Sequence, residues 1–415
     1  MQWRDANGMA RVVVTGMGAV SCVGVGTAAL LGALRERRHG LRRIDAFAAL
    51  GMRGQVGGPV DAGMLPAEPP RKLRRFFATP ARYAWHATNE ALAQAGLPSE
   101  RLAAADCGLV LGGGAALSEH EEALDHHRRR GITKVSPFAV PRGMSGALSA
   151  SLAHAFGIGG TSYTLSSACT SSAHAIGHAM ELIQLGRQTV AITGGAEELH
   201  PSTAMWFDAM GALSPQPDPV RASRPFHRER DGFVLAAGAG VLVLESLEHA
   251  HERGARILAE LCGYGCATDA ASMVGSGSEG IARALDQALD RAGTLPDYVN
   301  AHACGTQGDL AEWQAIRAVF AARGAPVPPL SSIKGLIGHA PAAAGALDAI
   351  ACLLMLQQDF LAAGAPLDDV DPEFAGAPLL VANRGQRIDT ALSGSYGFGG
   401  SCAALLFRRF GEVSA

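Results

Sequence analysis

Along nearly the whole chain, short apolar runs rich in Val, Ile and Leu alternate with segments whose apolar positions recur every three or four residues. The first kind predicts buried strands and the second predicts helices with one face in the core. Strands are predicted at 11–21, 107–111, 162–165, 189–195 and 239–244. Helices fall at 27–38, 83–96, 119–130, 141–156 and from the small residues after 169 to Gly186. The pattern restarts near 257, with strands at 257–265 and 298–301, helices at 279–292, 310–323 and 341–356, and closing strands at 391–395 and 403–407. Such alternation predicts an α/β fold with parallel strands in the majority. Both halves place a strand-to-helix turn that carries reactive side chains. That points to two pseudo-duplicated halves, 10–254 and 255–412, sharing one composite site.

Composition narrows the classes. The 415 residues are 48% hydrophobic and 18% charged, with 52 glycines, which describes a globular chain with an ample core and many tight turns. The net charge of -3 offers no basic field for nucleic acid. The glycine turn after residues 11–21 lacks the third glycine of a dinucleotide fingerprint and a matching acidic residue. Eight cysteines form neither a CxxC pair nor a regular framework, and Cys262 and Cys266 lack companion ligands, so no metal site is expected. No apolar run reaches the roughly 20 residues of a membrane span, and the first ten residues do not resemble a signal peptide. A soluble protein of the reducing cytoplasm is expected.

Candidate chemistry centres on Leu165-Ser166-Ser167-Ala168-Cys169-Thr170-Ser171-Ser172. A cysteine at a turn between strand and helix lies where free helix N–H groups and the macrodipole favour a thiolate. A cysteine among Ala and Ser is as often a small core residue, so the rest of the chain must decide. Three later segments bear on it. Asn300-Ala301-His302 ends a strand ahead of Asp309 and Glu312, Lys334 and His339 lie five apart before an Ala/Gly helix, and Ser395-Tyr396-Gly397-Phe398-Gly399-Gly400 is a glycine-aromatic loop. Singly, each has a structural explanation. Jointly, one Cys, two His and one Lys at turns of an α/β fold suit carbon–carbon chemistry on thioesters.

From the RVVVTGMG strand to the GFGG loop the chain resembles the β-ketoacyl-acyl-carrier-protein synthases (ketosynthases of the synthase I/II type) of the thiolase superfamily. The segments SSACTSSAHAIGHA, FDAMGALS, RDGFV, LEHAHERGA and LMLQQDF carry the likeness. The resemblance implies a thiolase-like fold layered α-β-α-β-α and a decarboxylative condensation of malonyl-acyl carrier protein. It implies Cys169 as the acyl-accepting nucleophile, His302 and His339 as the decarboxylation pair, Lys334 as the active-site lysine and Glu312 as the buried acid. Phe398 takes the gating position, its N–H forming the oxyanion hole with that of Cys169. No cofactor is implied, because the substrates ride on the phosphopantetheine of acyl carrier protein.

The chain departs from the family's pattern in three places. His302-Ala303-Cys304-Gly305-Thr306-Gln307 is one residue short and leaves Thr306 as the candidate pantetheine contact. Gly338-His339-Ala340-Pro341 alters the second histidine motif, and Cys402 stands where Asn is common. A fatty-acid or a specialised polyketide or polyene pathway fits these changes. A thiolase remains the first alternative and would need a second reactive cysteine near Phe398; a non-catalytic chain-length factor is the other and would lack Cys169. His174 and His178, one turn apart, read as satisfied interior histidines. Arg71, Lys72 and Arg75 beside Phe76, with Arg130 and Lys134, are expected to dock the acidic carrier. Residues 141–156 and 162–165 are expected to build a homodimer, or a heterodimer with a chain-length factor.

Overall fold

The long apolar runs become the strands of one mixed sheet. The computed structural model describes residues 2–411; residue 412, the last of the expected second half, lies outside them. The first half supplies β1 (Val12–Ser21), β2 (Cys107–Gly112), β3 (Ser162–Leu165), β4 (Val190–Glu197) and β5 (Gly238–Ser246). The second supplies β6 (Ala259–Thr268), β7 (Tyr298–Asn300), β8 (Leu330–Ser331), β9 (Thr390–Gly397) and β10 (Ser401–Arg408).

Their spatial orders, β1-β5-β4-β2-β3 and β6-β10-β9-β7-β8, are the same wiring used twice. In each half the first strand pairs antiparallel with the fifth, and the fifth antiparallel with the fourth. The second strand of each half pairs in parallel with both the fourth and the third. The duplication hinted at by the sequence is therefore plain in the topology. The expected parallel majority is not: parallel pairs are confined to the outer strands of each half. Helical crossovers return the chain in parallel, whereas a direct turn such as Phe398–Gly400 between β9 and β10 forces antiparallel pairing.

Val12–Val14 of β1 pair antiparallel with residues 259–261 of β6, and this short joint unites the halves in an eleven-stranded sheet, with Gly24–Val25 as the extra strand on β1. Beyond the joint the half-sheets diverge around two interior helices. The principal helices are α1 (Thr79–Ala95), α2 (Ala147–Phe156), α3 (Ser171–Gln184), α4 (Pro201–Ala209), α5 (Ser278–Ala292), α6 (Gly308–Ala322) and α7 (Ala344–Gln358). Helix α1 covers β1 and β5, α5 covers β6 and β10, and α3 and α7 lie against each other between β4 and β9. The layering is α-β-α-β-α.

Helix α7 is buried along nearly its whole length. Among the described residues only the helical stretch Pro341–Gln358, which contains α7 and the turn before it, is long and apolar enough to cross a membrane, and 89% of it is buried within protein. Small residues make the inner crossing possible. A Cβ on Gly345 of α7 would lie 2.7 Å from both the N and the Cβ of Ala173 on α3. At the adjacent residues, the Ala346 N–H donates to Ser172 Oγ at 3.0 Å, so the contact is both packed and hydrogen-bonded.

Two local expectations change. The helix predicted at 141–156 is broken into Ala139–Gly143 and α2, because Met144 is extended at φ -67°, ψ 152°. Helix α4 escaped the pattern altogether; Pro201 opens it, and the His200 ring accepts from the Ser202 N–H.

Gly345→Ala tests the crossing. Overpacking a tight interior contact costs about 1–3 kcal/mol, so the thermal midpoint should fall and activity should fall with it, although residue 345 touches no reacting atom. An unchanged midpoint would show that α3 and α7 separate freely.

Candidate active site

The turn between β3 and α3 is built from its own hydroxyls. Ser171 Oγ donates to Ala168 O at 2.6 Å and accepts the Ser167 N–H at 2.9 Å, while Thr170 Oγ1 donates to Ser167 O at 2.6 Å. Ala168 is left at φ 54°, a left-handed conformation that costs a non-glycine residue of order 1 kcal/mol or more. This strained elbow presents Cys169 to a cavity of about 440 Å³. His174 pins the elbow to the last strand: its Nδ1 lies 2.9 Å from Ser167 Oγ and its Nε2 3.4 Å from Cys402 O. It is a satisfied interior histidine, as read from the sequence. His178 is not, since it is exposed.

His339 arrives from the other half by backbone pairing. Its N–H donates to Val234 O and its carbonyl accepts the Ala236 N–H, each at 2.8 Å. That sets His339 Nε2 3.1 Å from Cys169 Sγ. His302 completes the group, its ring 5.2 Å from that of His339 and nearly perpendicular to it at 84°. Nδ1 of each histidine is buried without a partner, which leaves Nε2 as the nitrogen facing the cavity. The tautomer with the proton on Nε2 leaves an unpaired acceptor behind, which is less costly than an unpaired buried donor.

Glu312 on α6 accepts the N–H groups of His302 and Ala303, both at 2.8 Å, and so positions the first histidine from below. Burial pushes its carboxyl up to about 8 against those two hydrogen bonds. Asp309 does the same for the short loop that follows, accepting from the N–H groups of Cys304 and Thr306 at 3.1 and 3.2 Å. Thr306 and Cys304 both line the cavity, with Cys304 Sγ 3.7 Å from Thr306 Oγ1. Phe398 stands across from Cys169. Its N–H and that of Cys169 both face the sulfur, and its ring lies 5.9 Å from Phe207. Gly397 must be glycine here, since a Cβ would sit 2.9 Å from the Cys169 nitrogen.

Burial governs the charges. It pushes the Cys169 thiol up to about 12, against the pull of the Lys334 ammonium. The resting group is therefore a thiol, and the thiolate expected from the helix terminus alone does not survive desolvation. Burial first, and Lys334 second, hold His302 and His339 well below the ordinary histidine range, so both rings are neutral. Lys334 itself does not bond to the histidines. Its Nζ is paired with Asp348 Oδ2 at 2.7 Å, both groups fully interior, and burial raises the Asp348 carboxyl while the ammonium opposes that rise.

Asp348 went unread in the sequence, although a lone acid in Ala-Gly-Ala-Leu-Asp-Ala-Ile-Ala was a legible sign that something buried needed a counter-charge. Glu197 also went unread. It accepts the Ala342 N–H at 3.1 Å behind His339, and burial pushes it up to about 7.

The basic residues lie outside the cavity. Arg71, Lys72, Arg75, Arg130 and Lys134 are all exposed, and the edge-to-face contact of Phe76 with Phe138 at 5.4 Å ties their two segments together. The Arg75 guanidinium lies over both rings, 4.9 and 5.3 Å from their centroids. Cys402, which the sequence places in the last loop, donates to Gly400 O at 3.4 Å and does not line the cavity; the second thiol in the cavity wall is Cys304, on the loop after His302.

Residues 9–250 match the β-ketoacyl synthase N-terminal domain and residues 258–368 the C-terminal domain of the same family. The chain belongs to the β-ketoacyl synthase family. It is 41% identical to 3-oxoacyl-[acyl-carrier-protein] synthase 1 of Haemophilus influenzae, over 97% of this chain and 100% of that one. Among solved structures, the synthase resembles a β-ketoacyl synthase from Burkholderia phymatum with a TM-score of 0.88 and 33% identity, covering 97% and 100% of the two chains. It also resembles a type II polyketide ketosynthase in complex with its acyl-carrier protein (TM-score 0.87, 29% identity, 96% and 99% covered). The fold is thus thiolase-like, and the synthase is a condensing acyltransferase.

The Lys334–Asp348 pair yields a test that separates charge from stability. Removing one partner of a buried pair typically costs about 3–5 kcal/mol, whereas replacing both by apolar residues is often neutral. Asp348→Leu alone should lower the thermal midpoint sharply, and Lys334→Met with Asp348→Leu should recover most of it. Because the Lys334 charge depresses both histidines, its loss should raise their pKa values and move the acid limb of the condensation rate to higher pH. A double variant as unstable as the single one, with an unmoved pH profile, would reject this account.

Proposed function

We propose that this synthase joins a malonyl unit, carried on acyl carrier protein, to an acyl group held on Cys169, extending a fatty-acid or polyketide chain by two carbons. The observation that carries the reading is His339 Nε2 at 3.1 Å from Cys169 Sγ, with neutral His302 adjoining, in one cavity. In loading, Cys169 sulfur attacks the acyl thioester carbon, and the carbonyl oxygen is held by the N–H groups of Cys169 and Phe398. The C–S bond to the carrier breaks, and the thiol proton ends on the departing sulfur. Each such oxyanion donor is worth about 3–4 kcal/mol.

In the second stage the malonyl thioester oxygen lies against the Nε2–H groups of His302 and His339. The bond to the carboxylate breaks, carbon dioxide leaves, and the electron pair moves onto that oxygen, where two neutral donors meet the new charge. The enolate carbon then attacks the acyl carbon on Cys169, forming the C–C bond and breaking the C–S bond, and the sulfur that leaves as thiolate takes up a proton from solvent to return to the thiol. Lys334 keeps the histidines neutral, Glu312 positions His302, and Thr306 contacts the pantetheine arm. Phe398 gates the way from Cys169 to the acyl chain. No metal or organic cofactor takes part.

The synthase acts as a dimer in the reducing cytoplasm, a setting that suits its eight unpaired thiols. A homodimer is favoured because β3 ends the sheet with its outer edge unpaired among the described residues. The neighbouring segments also expose Leu124, Ile132 and Val140, the last two by 70% and 74%. The patch of Arg71, Lys72, Arg75, Arg130 and Lys134 docks the acidic carrier.

Cys169→Ala should gain no acyl mass when incubated with acyl carriers and read by intact-protein mass spectrometry. His302→Ala and His339→Ala should still be acylated but should fail to condense. One equivalent of acyl mass on the Cys169→Ala chain would move the nucleophile to Cys304 or Cys402.

Charge reversal at the patch separates docking from folding. Exposed pairs contribute up to about 1 kcal/mol each, so Arg71→Glu with Arg75→Glu should raise the apparent KM for carrier-bound substrate roughly five- to thirtyfold. Rising salt should do the same to the wild type, and turnover of a small pantetheine thioester should hardly change. Equal losses on both substrates would assign the patch to the fold.

A further inference from the structure

Among the described residues, Cys169, His302 and His339 form a group with a second chemical capacity. One ligand atom from each, a sulfur and two imidazole nitrogens, lies within 4.8 Å of the other two. A tetrahedral zinc ion, with Zn–S near 2.3 Å and Zn–N near 2.0–2.1 Å, needs its ligand atoms roughly 3.3–3.6 Å apart. The Cys169–His339 pair already stands at 3.1 Å, and the His302 ligand atom lies within 4.8 Å of both. We propose that this group binds one Zn²⁺ per chain as a reversible inhibitor, mutually exclusive with the acyl group on Cys169. The proposal uses the same side chains as the condensation reading but rests on their geometry and not on that reaction.

The donor set is the first argument. One thiolate and two neutral imidazoles are ligands of the kind that hold zinc in proteins, and the open cavity leaves a fourth position for water. On binding, the Cys169 S–H bond breaks, its proton goes to solvent, and the sulfur forms the bond to zinc. The metal changes no oxidation state and needs no co-reactant.

The proton that Cys169 must give up and two further features hold the affinity below that of a resident structural site. Protein zinc ligands commonly donate their second ring N–H to a carboxylate or carbonyl, whereas Nδ1 of both His302 and His339 is buried with no partner. The Lys334 ammonium also adds like charge nearby, only partly offset by Asp348. A site with good ligands and no supporting partners takes the metal when the ion is free and releases it to a chelator. Once acylated, the sulfur has no thiolate to offer and the site is closed to the ion.

The test uses the full chain with Zn²⁺ in buffer free of thiols and chelators. Zinc should bind with a stoichiometry of one, block acylation of Cys169, and be removed by EDTA with full recovery. Co²⁺ in place of zinc should show a thiolate-to-metal charge-transfer band in the near ultraviolet. Binding and band should both vanish in Cys169→Ala and in protein acylated beforehand, and His339→Ala should weaken binding by more than about tenfold. Cys266→Ser, which removes an exposed thiol far along β6, should bind as the wild type does. Equal binding by the Cys169→Ala chain, or inhibition that EDTA does not reverse, would overturn the proposal. Because binding and the cobalt band are read without turnover, they stand or fall independently of the condensation reaction.

Discussion

The site depends on the approach of two interior helices. Helix α3 begins just after Cys169 and α7 just after His339, and they meet where Gly345 faces Ala173. Larger side chains at that crossing would separate the two halves, and with them the sulfur and the imidazole that lie 3.1 Å apart. Close packing of this kind is rigid because interiors have almost no free volume to absorb a shift. A composite site drawn from two pseudo-duplicated halves therefore has its geometry set by alanines and glycines that never touch substrate.

Desolvation is the second governing influence. The same burial that keeps Cys169 a thiol and both histidines neutral also raises Glu312 and Asp348. Where burial reduces the competition from solvent, neutral donors aimed at one point are worth more than in water. The positive charge behind the histidines, on Lys334, is paired with Asp348 at 2.7 Å. That pairing allows a lysine to act on the histidines through its field while it is bonded elsewhere.

The loop after His302 is held from two sides. Asp309 gathers the backbone N–H groups of Cys304, Gly305 and Thr306 on one carboxylate. From the other side buried Arg230 donates to Thr306 O at 3.0 Å while lying over the Phe374 ring. Held between an anion and a cation, the loop keeps Cys304 and Thr306 in the cavity wall.

Hydrophobic periodicity by itself determined the strands and helices, since burial on one face or two is written locally in the order of residues. The sequence also singled out Cys169, His302, Lys334 and His339 as candidates, because they sit at turns of the predicted fold and match a family pattern. Tertiary structure decided what local order cannot express. The repeated wiring of the two half-sheets and the antiparallel centre arise from pairings between strands as distant as Val12 and Leu261. The break at Met144 and the cap that starts α4 at His200 depend on neighbours that periodicity does not weigh. Above all, the protonation of the site was decided in three dimensions. A helix terminus read from sequence favours a thiolate, but the depth at which Cys169 lies is set by both halves together, and that depth is the larger effect.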